Sequence, residues 1–131
     1  MLEVPKTMNA YLTAEQLRLY RASAQHRRQR KAQCLTVRHD RAWRVVQQAA
    51  QVLKADFGAR DVMVFGSVLL PKRFHQHSDV DLAVWGLPEQ AYYQAVGRLQ
   101  GLDRDIAVDV IAMEDASPTL QATIRQTGYR I

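Results

Sequence analysis

The sequence predicts an α+β chain, with one long helix first and short strands interleaved with helices after it. Three observations predict this. No Pro or Gly occurs between Pro5 and Gly58, so nothing in that stretch forces a helix to break. After Gly58 the apolar pattern shortens into runs at 61–65, 80–85 and 106–112, which read as strands. Pro or Gly punctuates the joints, at Gly66, Pro71, Pro88, Pro118 and Gly128.

The first element opens at Thr13, followed three positions later by Gln16, the pattern of a capping box. Leu17, Tyr20 and Ala24 start an apolar stripe that fades at Arg27-Arg28-Gln29-Arg30-Lys31. A denser stripe follows at Trp43, Val46, Ala50, Leu53 and Phe57, flanked by Val45, Ala49 and Val52. Gly58 is the natural stop. The expectation is helix from about 14 to 56, continuous or broken near Cys34–Asp40. A continuous helix of that extent would be roughly 65 Å long at 1.5 Å per residue. Part of it is then expected to project and to want a partner. The expected division is a helical extension over 1–57 and a core over 58–131.

Asp61-Val-Met-Val-Phe65 reads as a buried strand running into a tight turn at Gly66-Ser67. Residues 68–78 read as a short helix and loop. Val80 to Trp85 is a second strand, whose alternation puts Asp79 and Asp81 on one face and Val80 and Leu82 on the other. Pro88 opens a helix to about residue 100. Ile106 to Ala112 is a third strand containing Asp109. Pro118 opens a last helix to about Thr127, with Tyr129-Arg130-Ile131 as a tail.

The 131 residues suit one compact domain, and 47% of them are apolar. No stretch approaches the roughly 18 apolar residues of a membrane span. The start, Met1-Leu2-Glu3-Val4-Pro5, lacks the layout of a signal peptide. Cys34, the single cysteine, allows no internal disulfide and reads as a plain helix residue. A cytoplasmic protein without a membrane partner is expected. The net charge of +5 conceals an asymmetry. Residues 1–60 carry 12 Lys/Arg against 4 Asp/Glu, while 61–131 carry 6 against 9. A basic half and an acidic half are expected to do different jobs.

The acidic half holds the chemistry-bearing residues. Two Asp at i and i+2 on one strand face set their carboxylates side by side. A third, from a neighbouring strand, can complete a site for hard divalent cations, which prefer several oxygen ligands. Two such cations about 3.5–4 Å apart can hold the attacking and leaving oxygens of a phosphoryl centre. The third carboxylate can also take a proton from an attacking hydroxyl. Asp79, Asp81 and Asp109 meet this description. Gly66 lets the backbone approach phosphate oxygens, and Ser67 adds a hydroxyl donor.

Val64-Phe65-Gly66-Ser67, eleven residues, then Asp79-Val80-Asp81-Leu82 resembles the GS…DxD signature of the polymerase-beta-like nucleotidyltransferases. Phe74-x-x-x-Ser78-Asp79-Val80-Asp81-Leu82-Ala83-Val84 and Val108-Asp109-Val110 resemble its minimal nucleotidyltransferase (MNT) branch. The resemblance covers residues 60–131. It implies a short mixed sheet backed by helices, with Mg2+, two ions, on Asp79, Asp81 and Asp109. It implies ATP as substrate, its triphosphate on Gly66 and Ser67, with Ser78 also at the nucleotide. It further implies an antitoxin paired with a HEPN-domain RNase toxin, silencing it by AMP transfer to a tyrosine. Two departures stand out. The gap between the motifs is about one residue longer than the family pattern. The Arg common soon after GS is replaced by Val68-Leu69-Leu70, leaving Lys72 and Arg73 as the nearest phosphate contacts.

Other residues carry plainer readings. Asp103 and Asp105 read as loop charges, and His75 and His77 as structural or solvated groups. Trp85 reads as core or interface. The Arg27–Lys31 run reads as a solvated helix face, with contact to RNA or an acidic partner as the sharper alternative. Two other functions compete with the toxin-modifying enzyme. One is an antitoxin that neutralises a HEPN toxin by binding alone. The other is an RNA- or small-molecule-directed nucleotidyltransferase. The intact aspartates argue against the first and the short chain against the second.

Overall fold

The computed structural model describes residues 13–131. They divide into two compact units, with the boundary between Thr36 and Val37. The elements are α1 (Ala14–Ala55), β1 (Asp61–Phe65), β2 (Val80–Trp85), α2 (Glu89–Gln100), β3 (Val108–Ala112), α3 (Pro118–Thr127) and β4 (Tyr129–Arg130). Single 3-10 turns at Ser67–Leu69 and Met113–Asp115 follow β1 and β3.

The α1 helix begins at the capping box its sequence announces. The Gln16 amide donates to Thr13 Oγ1 at 3.1 Å, and the Thr13 amide donates to Gln16 Oε1 at 2.9 Å. The helix runs without a break through Cys34–Asp40. In the first unit, Arg27 to Lys31 are all exposed. In the second, the dense stripe does what its spacing predicts. Ala42, Val45, Val46, Ala49, Ala50 and Leu53 are buried in the main core.

The sheet order is β3-β2-β1-β4. The β1–β2 and β1–β4 pairs are antiparallel and β2–β3 is parallel, so the sheet is mixed. Strand alternation assigns the two faces. Val62, Val64, Leu82, Val84, Val108 and Val110 join the core formed with α1 and α2. Met63 and Ala83 form a second, smaller cluster with Met113 and Ile124, and Trp85 packs against it. Trp85 is half-buried there, which fits the core-or-interface reading.

Two features went unforeseen. Tyr129-Arg130 is not a loose tail but a two-residue edge strand on β1, and the Ile131 amide donates to Val62 O at 3.0 Å. At the opposite edge, α2 closes β3 with side chains. The Val108 amide donates to Gln100 Oε1 at 3.2 Å, and Gln100 Nε2 donates back to Val108 O. The Tyr92 hydroxyl donates to Val110 O at 2.7 Å. Among the described residues no helix is long and apolar enough to cross a membrane.

Candidate active site

The carboxylates gather on the sheet face opposite α1. Asp81 and Asp109 are register partners in the parallel β2–β3 pair, so their side chains leave the same face side by side. Asp79 lies just ahead of β2, two positions before Asp81, and near enough for its charge to act on that carboxylate. Asp79 and Asp81 are half-buried and Asp109 is exposed.

Gly66 belongs to this cluster for a reason that phosphate alone does not supply. Phe65 is the register partner of Asp81, so Gly66 leaves β1 right beside that carboxylate. Its φ is +83°, the left-handed side that favours glycine. A Cβ there would collide with Asp81 Oδ2. The carboxylate thus occupies the space that a side chain at 66 would fill. Ser67 follows as the first residue of the 3-10 turn, whose Leu70 amide donates to Ser67 O at 2.9 Å.

The electrostatics follow from crowding. Burial pushes the Asp81 pKa up to about 6, and the nearby charges of Asp109 and Asp79 add to it. Among the described residues no three His, Cys, Asp or Glu side chains already converge as ligands of one ion. The donor set nevertheless fits a hard divalent cation. It offers carboxylate oxygens on one face, with a mutual repulsion that a cation would relieve.

The remaining sequence candidates divide. Lys72 and Arg73 are exposed in the loop between the motifs. Ser78 is buried at 5% exposure, its Oγ accepting from the His75 amide at 2.9 Å and its own amide donating to His75 O at 2.9 Å. Its Oγ thus accepts one bond within the loop and keeps its O–H for another partner. His75 and His77 are exposed, and the His77 amide donates to His75 Nδ1 at 3.1 Å.

Asp103 is a loop charge, as read, but one with a structural partner. Arg41 donates to both its carboxylate oxygens, at 2.9 and 2.8 Å, and the Asp105 amide donates to it at 2.9 Å. Burial would raise its pKa, but the Asp105 amide and the Arg41 guanidinium outweigh burial and hold it below the usual carboxylate range. Asp103 clamps α1 to the loop before β3.

Two residues near the site were missed. His39 Nε2 lies 2.8 Å from Val68 O, and an Arg38 guanidinium nitrogen donates to Ser78 O at 3.1 Å. Their signal was available. Positions 38 and 39 extend the buried spacing of Ala42, Val45, Val46 and Ala49 by one more turn.

A mixed sheet with GS at one strand end, two aspartates paired on one face and a third just ahead of the strand defines a nucleotidyltransferase-type site. The sequence profile "Polymerase beta, Nucleotidyltransferase" matches residues 47–131, and the chain belongs to that family. The match starts inside α1, ahead of the motif-based resemblance. A search among curated proteins gives no match. Among solved structures, one assigned as a minimal nucleotidyltransferase is 28% identical. Its TM-score is 0.54, over 68% of this chain and 92% of that one. A toxin–antitoxin structure with AMP-PNP is 24% identical, with a TM-score of 0.53 over 63% and 69% of the two chains. The toxin–antitoxin MntA–HepT is 20% identical, with a TM-score of 0.50 over 66% and 68%. The likeness to the last two is one of fold.

Proposed function

We propose that the chain is an antitoxin nucleotidyltransferase that moves AMP from ATP to a tyrosine of a HEPN-domain RNase toxin and so silences it. The observation that carries this reading is the pairing of Asp81 and Asp109 on one sheet face, with Asp79 close by and Asp81 seated over Gly66. The likeness to toxin–antitoxin structures, one with AMP-PNP, supports the choice of nucleotide and partner.

In this mechanism Gly66 and Ser67 hold the triphosphate, with Lys72 and Arg73 as the basic groups nearest in sequence. Ser78 serves by fixing the turn into β2. Asp79, Asp81 and Asp109 are the ligands for Mg2+, which when bound neutralises charge on the phosphates. Asp109, the most exposed of the three, faces the acceptor and takes the phenolic proton as the tyrosine oxygen attacks the α-phosphorus and pyrophosphate leaves. We assign all of this chemistry to the core from residue 58 onward; the helix before it, Ala14–Ala55, shares that core through its later turns. The exposed basic run Arg27–Lys31 is the docking element for an acidic face of the toxin, in an association that weakens with salt.

The test is incubation with labelled ATP, Mg2+ and the co-encoded partner, read by intact mass. Addition of one AMP to a partner tyrosine is expected. Tight neutralising association without any mass change would favour the binding-only antitoxin. Label on RNA instead of protein would favour the RNA-directed transferase.

A further inference from the structure

We propose that His39 and Arg38 are positioning residues, each holding one of the two loop ends that form the candidate site. The inference rests on the nucleotidyltransferase reading above and deepens it. The eleven residues between Ser67 and Asp79 hold only one 3-10 turn of regular structure. The two ends of that segment are the places where the site is built. Gly66 and Ser67 lie at one, and Asp79 and Asp81 at the other.

Each end is tied to α1 through a main-chain carbonyl immediately beside a site residue. A carbonyl only accepts, so His39 Nε2 carries the proton it donates to Val68 O, 2.8 Å away. Val68 follows Ser67 directly. Arg38 donates to Ser78 O at 3.1 Å, and Ser78 directly precedes Asp79. Neither tie reads the side chain it touches, so both serve to fix backbone. The middle of the segment is anchored separately by buried Phe74, whose ring meets the His39 ring edge-on at 5.0 Å between centroids. Adjacent residues of one rigid helix therefore hold the phosphate-side turn and the metal-side strand entry in register.

A purely structural role would be met by apolar packing at both positions. Arg38 is a poor choice for that. Its Nε is buried with no hydrogen-bond partner among the described residues, a placement that costs stability. A group placed at such a cost beside a metal-ligand strand fits positioning, since misplacing a reacting group by 1 Å can cost roughly 100-fold in rate.

Four variants test this in the full chain: His39→Leu and Arg38→Met, which remove the donors, and His39→Gln and Arg38→Lys, which keep one. Two readouts are needed. The first is amide hydrogen exchange at Leu69 and Leu70, which donate to Gly66 O and Ser67 O, and at Ser78, which donates to His75 O. The second is the split between KM for ATP and kcat. His39→Leu should speed exchange at Leu69 and Leu70 and raise KM about tenfold, with kcat nearly kept. Arg38→Met should speed exchange at Ser78 and lower kcat by about tenfold or more, with KM nearly kept. His39→Gln and Arg38→Lys should each recover most of the loss. Unchanged local exchange would overturn the proposal. So would donor-keeping variants no better than donor-free ones, or losses in kcat and in ATP binding that appear together in both variants and track Tm. Faster exchange at these amides, in a protein whose wild type binds no ATP, would uphold the ties and overturn the nucleotide-transfer reading instead.

Discussion

The two faces of the sheet are made by alternate residues of the same strands, yet they do opposite work. On the face under α1 and α2, Val62, Val64, Leu82, Val84 and Val108 have no exposure at all. On the other face the apolar cover of Met63, Ala83, Met113 and Ile124 ends short of Asp81 and Asp109. Leu82 and Asp81 are neighbours in sequence, but one is surrounded by hydrocarbon and the other is a half-buried charge beside two more carboxylates. The period of two in a strand lets one short segment supply both adhesion and reactivity. Damage to the two faces should therefore be separable, loss of stability on one and loss of chemistry on the other.

The sharpest break of that separation lies on the reactive face. Asp79→Asn with Asp81→Asn should lower nucleotide transfer about a thousandfold or more, since several kcal/mol of charge stabilisation go with the ligands. Circular dichroism should stay native. A folded double variant that still transfers at the wild-type rate would remove these residues from the chemistry.

The matching break on the adhesive face is Leu82→Ala. It should cost about 2–5 kcal/mol of unfolding free energy, through lost burial and the cavity left behind. Turnover per folded molecule, measured well below the new Tm, should change little. A large loss of turnover at full foldedness would mean that the faces are coupled.

Gly66→Val sits between them. Its side chain would need the space of the Asp81 carboxylate and a φ that branched residues avoid. ATP affinity measured by titration calorimetry should fall about tenfold or more, on the assumption that one well-placed contact is lost. An unchanged affinity in a folded variant would separate Gly66 from phosphate binding.

The smallest effect has the least intuitive sign. The folded-state pKa of Asp81 is raised to about 6 from an ordinary 3.8. Its contribution to stability is therefore whole below the ordinary value and lost as pH rises through about 6. In metal-free protein, Asp81→Asn should raise Tm slightly at pH 7 and flatten the decline of Tm between pH 4 and 7. A lower Tm for the variant at pH 7 would show that the carboxylate is not strained by burial and its neighbours.

Much of this was legible beforehand, for physical reasons. Thr13 and Gln16 satisfy each other locally, β2 shows its alternation within six residues, and Pro118 marks a helix start by its own ring. Gly66 and Asp81 were legible as motif members, but not as a touching pair, since the contact depends on the antiparallel register of β1 and β2. The illegible parts were contacts across long stretches of chain. Arg41 meets Asp103 across 62 positions, Arg38 meets Ser78 across 40, and Tyr129 finds β1 only after the sheet exists. A charged residue in a basic stretch gives no local sign of which carbonyl or carboxylate it will reach. The bond from the His75 amide to Ser78 Oγ was likewise illegible, since it forms only once the loop has closed.

Gln100 has one more consequence. A glutamine side chain ends in an amide, so it can offer a strand's backbone both a donor and an acceptor. By meeting both the N–H and the C=O of Val108, it acts as a single-residue counterfeit strand. Glutamate lacks the donor, asparagine the reach, and leucine both. An exposed helix position, which a substitution survey would rank among the most tolerant, is thereby restricted to nearly one amino acid. Its replacement would leave the interior untouched and yet open the β3 edge to recruitment by another molecule's strand, so that the injury would appear as clumping at high concentration rather than as melting.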